Sequence, residues 1–535
     1  MVRLLIFIAA LLMAAPAGAE DSLNAQKYLA DPSHLADFSA AEKNELRDFY
    51  IRRGDHAAWN LSDADAEKKI LAFLDSVEAL VTYHGLIKSP YALAEMRKLA
   101  QSDREADQQR LEFLVTASLL RLAHDLHGDT VNLADFYPGW ILHRRRADIP
   151  TLLATAVREQ KLEAFFAALA PQNASYRQLA QILHDYRALA EKGGWQGIGG
   201  GPSLQPGMTD ARVPLLRARL AAEGYNPPAP TQATDFFDDD LAKTLIAYQT
   251  RNGLEPDGHA GALTQEALNT SIAARIAQIR ANMERWRHMP ETFPPARYAM
   301  VNIPDYSLTI TEGGETAYNG IVVLGRVSRK TPFIASKIVN MVVNPSWHVP
   351  TSIARKDILP KLREDPHYLE DQGIVIAGRT EDPSGVTIDW QDMQPEDFNF
   401  QLRQNPGDLN SLGQLKFNFD NAFAVYMHGT PHQELFDKAQ RDFSSGCVRL
   451  AEPAQVGEVL LASNKFDDGD AWDEQHIMDS IAAGKTRWVT LANPMPLYFL
   501  YWTVFADAEG NANFRKDIYG YDGLLMRQLK DAPAP

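Results

Sequence analysis

The rhythm of apolar and polar positions changes twice along the chain. From about residue 20 to 200, apolar residues recur at three- and four-residue spacing, as in Ile70, Leu71, Leu74, Val77, Leu80 and Val81. That period predicts amphipathic helices, each burying one stripe. The run from Gly193 to Pro202 holds six glycines and predicts a linker. Between about 206 and 270 the apolar runs Val213–Leu220 and Leu245–Gln249 and the stretch from Thr264 to Leu268 predict three short helices. Gly224, Gly253 and the pair Asp257-Gly258 turn the chain between them. From about 296 short β-rich runs take over: 298–303, 307–311, 320–324, 338–343, 423–427 and 488–491, separated by Gly, Pro and Asp turns. Between Pro350 and Leu412 that pattern lapses among prolines and glycines. A long irregular insertion is predicted there, of the kind that serves as a lid.

The fold class expected is therefore multidomain α + β. A helical region covers 20–205, a three-helix module 206–271 and a helical connector 272–296. A mostly-β domain covers 297–505, with its insertion at about 351–412, and a C-terminal segment covers 506–535. The 535 residues exceed what one core organises, which agrees with several domains. A formal net charge of −16 argues against nucleic acid as a partner, since phosphate binding needs a basic surface. Residues 1–19 read as an export signal: Arg3, an apolar stretch from Leu4 to Ala15, then Ala17-Gly18-Ala19 as a cleavage site. That places the mature chain in the periplasm, or anchored to the inner membrane if the signal stays. His84, His124, His127, His143 and His184 lack metal-ligand spacing, and Arg144-Arg145-Arg146 reads as a solvated or ion-paired patch.

An exported chain with a single cysteine cannot form an internal disulfide. Cys447 is then a buried filler, an intermolecular bridge or a reactive thiol. Its neighbours favour the last. In Phe443-Ser444-Ser445-Gly446-Cys447-Val448-Arg449-Leu450 the glycine allows a sharp turn that aims backbone N–H groups at one point. Upstream, Val425-Tyr426-Met427-His428-Gly429-Thr430 ends an apolar run in a histidine. His428 is the candidate base for the thiol. The Gly429 carbonyl can hold the ring's other nitrogen, the task an Asp or Asn performs in other triads. The amides of Ser445, Gly446 and Cys447 are candidate oxyanion donors.

Four separated motifs carry a family resemblance. They are His428-Gly429-Thr430; Ser444-Ser445-Gly446-Cys447-Val448-Arg449; Asn344-Pro345-Ser346-Trp347-His348-Val349-Pro350; and Asn405-Pro406-Gly407 through Asn410, Leu412-Gly413 and Lys416-Phe417. In their order along the chain, over about 297–495, they resemble the L,D-transpeptidase (YkuD-type) catalytic domain. The glutamine, glycine and Asp-Gly pattern at Gln249, Gly253-Leu254, Asp257-Gly258, Gly261, Thr264 and Leu268-Asn269 resembles the small peptidoglycan-binding module of wall-active enzymes. With the helical first part and the insertion, the whole resembles the large Gram-negative, YcbB-like members, in which the helical region is a scaffold and the insertion a substrate-capping loop. Many members carry His where this chain has Ser445; the family's base corresponds to His428, so Ser445 offers chiefly its backbone N–H.

The resemblance implies acyl transfer without cofactor or metal. Cys447 would attack the L-centre carbonyl of diaminopimelate in a tetrapeptide stem and release D-Ala. A second stem's diaminopimelate amine would then take the acyl group, giving a 3→3 cross-link. Arg449 would pair with a stem carboxylate, a structural ion pair being the alternative. Tyr426 and Trp347 would wall the substrate, core packing being theirs. The implied partners are donor and acceptor stems and proteins that make glycan or trim stems, with carbapenems as inhibitors. Resolution of the thioester by water (L,D-carboxypeptidase) or by a free D-amino acid stands as an alternative, as does a non-enzymatic wall-binding scaffold.

Overall fold

The structure is a computed structural model that describes residues 23–529 apart from 32, 62–64, 88–90, 130, 143–146, 231, 466–468 and 470–471. The expected signal at 1–19, His143 and the arginine run 144–146 lie outside the described residues. The chain divides into two compact units. One comprises 1–136, 142–293 and 503–535; the other comprises 137–141 and 294–502.

The first unit is helical, as the spacing predicts. Its longest helix, Glu105–His127, has apolar residues all round and is buried along most of its length, ending in a left-handed Gly128. A Cβ at Gly128 would sit 2.7 Å from the Arg287 carbonyl oxygen, so only glycine lets the two backbones approach this closely. Ala40–Arg52 starts on a capping box, Ser39 accepting from the Glu42 N–H while the Glu42 carboxylate takes the Ser39 N–H. Ile70, Phe73, Leu74, Val77, Leu80 and Val81 all enter this core.

The three-helix module has its own core. Helices Val213–Ala222, Asp239–Arg251 and Ala262–Leu268 bury Val213, Leu216, Leu220, Leu241, Leu245, Tyr248 and Leu268. The glycine-rich stretch contributes to that core through Ile198 and Leu204. Asn269 also clamps Gly199 in both directions, its Oδ1 accepting from the Gly199 N–H and its Nδ2 donating to the carbonyl, each at 3.0 Å. A run of glycines reads as a linker, but here the bare backbone lets the helix end lie flat against it.

The C-terminal segment belongs to the first unit. Thr503 donates its N–H to Asn282 Oδ1 at 3.0 Å and its hydroxyl to Asp522 at 2.7 Å, and Arg285 Nη2 lies 2.6 Å from Asp522. Asn282 and Arg285 stand on the helix Ile272–Arg287, and they and Thr503 are fully buried.

The second unit is built on one sheet. Its strands are β1 Tyr298–Asn302, β2 Ser307–Glu312, β3 Glu315–Gly325, β4 Ile334–Val343, β5 Trp347–His348, β6 Ile374–Ile376, β7 Leu402–Gln404, β8 Leu415–Phe419, β9 Met427–His428, β10 Asp442–Ser444, β11 Val448–Leu450 and β12 Arg487–Leu500. Nine of them form a sheet in the order β10-β3-β11-β9-β8-β4-β12-β1-β2, and β2 also pairs with β3, so the sheet closes on itself. Five residues far upstream join this unit: Tyr137 stacks on Phe333 with ring centroids 4.7 Å apart, and the Phe333 N–H donates to the Pro138 carbonyl at 3.0 Å.

Two expectations change. The run 423–427 is not a strand until Met427, because Asn421 takes over the backbone pairing: its Oδ1 accepts from the N–H groups of Phe423 and Val425 and its amide donates to the Val425 carbonyl. The insertion is also not irregular. Short helices and β5-β7-β6, a separate three-stranded sheet, enclose a core of Ile358, Leu359, Leu362, Leu369, Trp390 and Phe398. Elements of two to six residues leave no period to detect, so the sequence pattern is blind to them.

Candidate active site

The centre of the site is the parallel pair β9–β11, in register Met427↔Val448 and His428↔Arg449. β8 continues the row, with Lys416 opposite His428. Because strand side chains alternate between faces, Phe417, Met427, Val448 and Leu450 fall on the core face, and all are fully buried. The other face receives Lys416, Tyr426, His428, Cys447 and Arg449. One alternation thus gathers two titratable rings, a thiol and two cations over a closed apolar floor. Cys447 and His428 are diagonal neighbours across adjacent strands.

His428 is 4% exposed, and its Nδ1 lies 2.5 Å from the Gly429 carbonyl oxygen. Burial pushes its pKa down to about 3, helped by the Arg449 and Lys416 charges; the Gly429 and Leu412 carbonyls pull the other way and lose. The ring therefore rests neutral, with Nδ1 donating to Gly429 and the other nitrogen lacking its proton, the state a general base requires. Gly413 makes this support possible. It has φ 61°, and a Cβ there would lie 2.7 Å from the Gly429 carbonyl carbon and the Thr430 nitrogen.

Cys447 is partly exposed. Burial pushes its thiol up; the Tyr426 backbone and hydroxyl hydrogen bonds, Arg449 and Lys416 all favour the thiolate without overcoming it. The Tyr426 hydroxyl in turn has a hydrogen bond from Trp347, so β5 and Cys447 are linked through one phenol. Lys416 Nζ sits 4.2 Å from the centre of the Tyr426 ring, a cation–π contact that holds both side chains at the thiol.

The turn before Cys447 is tightly held. Gly446 has φ 115°, which glycine alone adopts readily. Ser444 Oγ donates to the Cys447 carbonyl at 2.6 Å and accepts the Gly446 N–H at 3.1 Å. The Gly446 amide, expected from the sequence to face an oxyanion, is thus engaged inside the turn. Thr331, fully buried, donates to the Gly446 carbonyl at 2.9 Å. Ser445 Oγ accepts from Arg326 Nη2 at 3.0 Å and from Arg329 Nη1 at 2.8 Å.

The structure brings together Cys447, His428, Gly429, Tyr426, Trp347, Arg449 and the Ser445-Gly446 turn. It adds Lys416, Arg326, Arg329 and Thr331, which sequence reasoning did not assign. Lys416 had a signal: a lone cation between Leu415 and Phe417 in a strand. The contacts of Arg326 and Arg329 to Ser445 bridge more than a hundred residues, and no local pattern announces them. A separate cavity of about 400 Å³ adjoins Gly429 and Thr430, bordered by Asp408, Glu452 and Glu474; neither Cys447 nor His428 lines it. Among the described residues no group of His, Cys, Asp and Glu is placed to hold a metal ion, and no helix is long and apolar enough to cross a membrane.

Three regions of the chain match known families. Residues 296–461 match the L,D-transpeptidase catalytic domain, YkuD. Residues 209–268 match a family described as "Putative peptidoglycan binding domain", and 44–183 a scaffold domain. A curated protein of Haemophilus influenzae called "Putative L,D-transpeptidase" is 29% identical over 486 residues, spanning 85% of this chain and 91% of that protein. A crystal structure of the L,D-transpeptidase (residues 123–326) from Xylanimonas cellulosilytica is 14% identical, covers 48% of this chain and 90% of that one, and has a TM-score of 0.15, too low to argue from. Two of the matched families concern peptidoglycan, which fits a protein outside the cytoplasm. The β-rich unit that carries Cys447 and His428 matches the YkuD L,D-transpeptidase catalytic domain over residues 296–461, and the same chain carries regions that match a scaffold domain and the peptidoglycan-binding family.

Proposed function

We propose that the protein forms 3→3 cross-links in peptidoglycan through a thioester on Cys447. The observation that carries this is the shared sheet face: a thiol, a neutral buried imidazole oriented by the Gly429 carbonyl, and two cations, all from β8, β9 and β11. His428 takes the thiol proton as sulfur attacks the L-centre carbonyl of diaminopimelate in a tetrapeptide stem. The oxyanion would be held by amides of the nucleophile turn. Those of Ser445 and Cys447 are the first choice, and Gly446 would join by leaving Ser444 Oγ. Collapse expels D-Ala, whose nitrogen receives the proton from His428. The side-chain amine of a second stem then attacks the thioester, gives its proton to His428 and releases the thiol.

A high thiol pKa beside a neutral imidazole means that the resting pair is uncharged. An incoming substrate that excludes water strengthens the Arg449, Lys416 and Tyr426 interactions with sulfur, so the thiolate forms when it is needed. The insertion fits a capping role, because β5 brings Trp347 from its small sheet to Tyr426. The first nineteen residues would direct export to the periplasm. There the module would hold the wall, proteins that make glycan or trim stems would work alongside, and carbapenems would acylate the same thiol.

The test is incubation with purified disaccharide-tetrapeptide and mass spectrometry of the products. A dimer with loss of one D-Ala is expected. Tripeptide monomer alone would instead establish hydrolysis, and an unchanged substrate would refute acyl transfer.

A further inference from the structure

In a chain of net charge −16, the neighbourhood of Cys447 is cationic. Lys416 and Arg449 share its sheet face, and Arg326 and Arg329 meet at Ser445, two residues before it. The meeting has a backbone cause. β3 lies beside β11, with Val323 opposite Arg449, and ends where Gly325 pairs with Ser444 on β10. A Cβ at Gly325 would fall 3.0 Å from the Gly446 Cα and 2.2 Å from the Arg329 carbonyl oxygen. The bare glycine lets the turn 326–329 fold directly against the nucleophile turn.

The counter-charges are few and unevenly placed. Asp357, in a π-helical turn of the insertion, is gripped by both terminal nitrogens of Arg329, Nη2 reaching Oδ1 at 3.1 Å. The same carboxylate is 4.0 Å from Arg326 Nη2, whose close partner is the neutral Ser445 hydroxyl. Among the described residues Arg449 makes no salt bridge. It feels Glu434 only at a distance, and Glu434 is 65% exposed and leans on His432. Arg326 and Arg449 also repel each other, and the Nε of each is covered without a hydrogen-bond partner. Two partly buried guanidiniums that repel each other, with Asp357 4.0 Å from one and committed to Arg329, are costly for the free protein. An anion between them relieves that cost, and the planar guanidinium fork suits a carboxylate.

We propose that Arg326 and Arg449 form a two-armed carboxylate subsite beside Cys447, in which Ser445 fixes Arg326 and the Arg329–Asp357 pair braces the turn behind it. The identity of the ligand rests on the donor reading above. When the L-centre carboxyl of diaminopimelate lies in the scissile amide, its second carboxyl remains free, and the γ-linked glutamate before it carries a free α-carboxyl. Both present the required chemistry. Ser445, standing where many relatives have histidine, acquires a role through its hydroxyl: it is the acceptor that aims a recognition arginine, a positioning residue and not a base.

The experiment measures binding to the full-length Cys447→Ala chain by calorimetry. Three ligands are compared: the disaccharide-tetrapeptide, the same donor amidated at the free diaminopimelate carboxyl, and the same donor amidated at the glutamyl α-carboxyl. One amidation is expected to weaken binding about tenfold and so to name the carboxylate. Adding Arg326→Gln should weaken the unmodified donor by a similar factor and leave the sensitive amidated donor unchanged, with Arg326→Lys recovering part of the loss. The amidation contrast needs no Arg326 variant, so a folding failure there does not shield the proposal. Equal binding of all three donors, or an Arg326→Gln loss of the same size for each, would overturn it. D-Ala release by the unmodified chain is followed in parallel. Carboxylate discrimination without D-Ala release refutes the acyl-transfer reading and leaves the subsite standing; D-Ala release without discrimination removes the subsite and leaves the reaction.

Discussion

Cys447 and His428 are set by opposing forces, and each leaves a measurable trace. Burial raises the thiol against four stabilising contacts. Alkylation of the free protein by iodoacetamide should therefore titrate with a midpoint above the ordinary cysteine value, and Tyr426→Phe, which removes one donor to sulfur, should raise it further. A wild-type midpoint below the ordinary cysteine value would mean a pre-formed ion pair. His428 bears on stability. Its folded pKa of about 3 lies below the unfolded value of roughly 6.5. Between those values the unfolded chain binds the extra proton, so stability falls as pH drops from about 6.5 toward 3. In chemical denaturation, His428→Gln should show a shallower loss over that window by on the order of a few kcal/mol. Parallel curves for wild type and variant would contradict the buried neutral ring.

At the scale of elements, the proposed base His428 depends on strand ends that touch. β8 begins just after Gly413, and β9 ends at His428, just before Gly429. Gly413→Ala would combine a left-handed backbone with a methyl pressed into the Gly429–Thr430 peptide. It is expected to cost about 1–3 kcal/mol of stability and to lower kcat more than it raises KM, because it moves the carbonyl that orients His428. Unchanged kinetics with a lowered melting temperature would show that the carbonyl does not need its present position. Asn410 supports the same region, its amide donating to the Pro345 and Asn405 carbonyls at 2.9 Å each while its Oδ1 accepts the Leu412 N–H at 2.8 Å. Asn410→Ala strands those buried groups and should cost about 1–3 kcal/mol, read as a shift in denaturation midpoint.

This scale also shows what could be read from the chain alone. Gly446-Cys447 and His428-Gly429 were each legible as a short local segment, a glycine turn at the thiol and a carbonyl beside the ring, whereas joining the two across nineteen positions took the family resemblance. Strands β1 to β4 and β12 were legible from their apolar, β-branched runs. The insertion's helices were not, being too short for any period, and neither was the anchoring of 137–141 through Tyr137 and Pro138, which depends on a partner nearly two hundred residues later. Arg326 and Arg329 were invisible for the same reason: a charged residue after a strand is ordinary until the fold supplies Ser445.

For the molecule as a whole, charge and continuity matter most. An acidic chain that concentrates cations at one site should bind an anionic donor less well as salt rises, and KM should increase between low and physiological ionic strength; a flat response would indicate that the cations are balanced within the protein. The C-terminal residues are part of the helical unit through Thr503 and Asp522. Asp522→Ala leaves Arg285 buried without its carboxylate and should cost about 3 kcal/mol or more, detected as a lower melting temperature of the full chain. The central claim concerns one bond, and intact-protein mass spectrometry tests it directly. A tetrapeptide donor is used with its diaminopimelate amine acetylated, so that it cannot also accept. The chain should gain the mass of the donor minus that of D-Ala, mapped to Cys447 and absent after Cys447→Ala. Release of D-Ala with no adduct at Cys447, or an adduct that survives Cys447→Ala, would contradict the account.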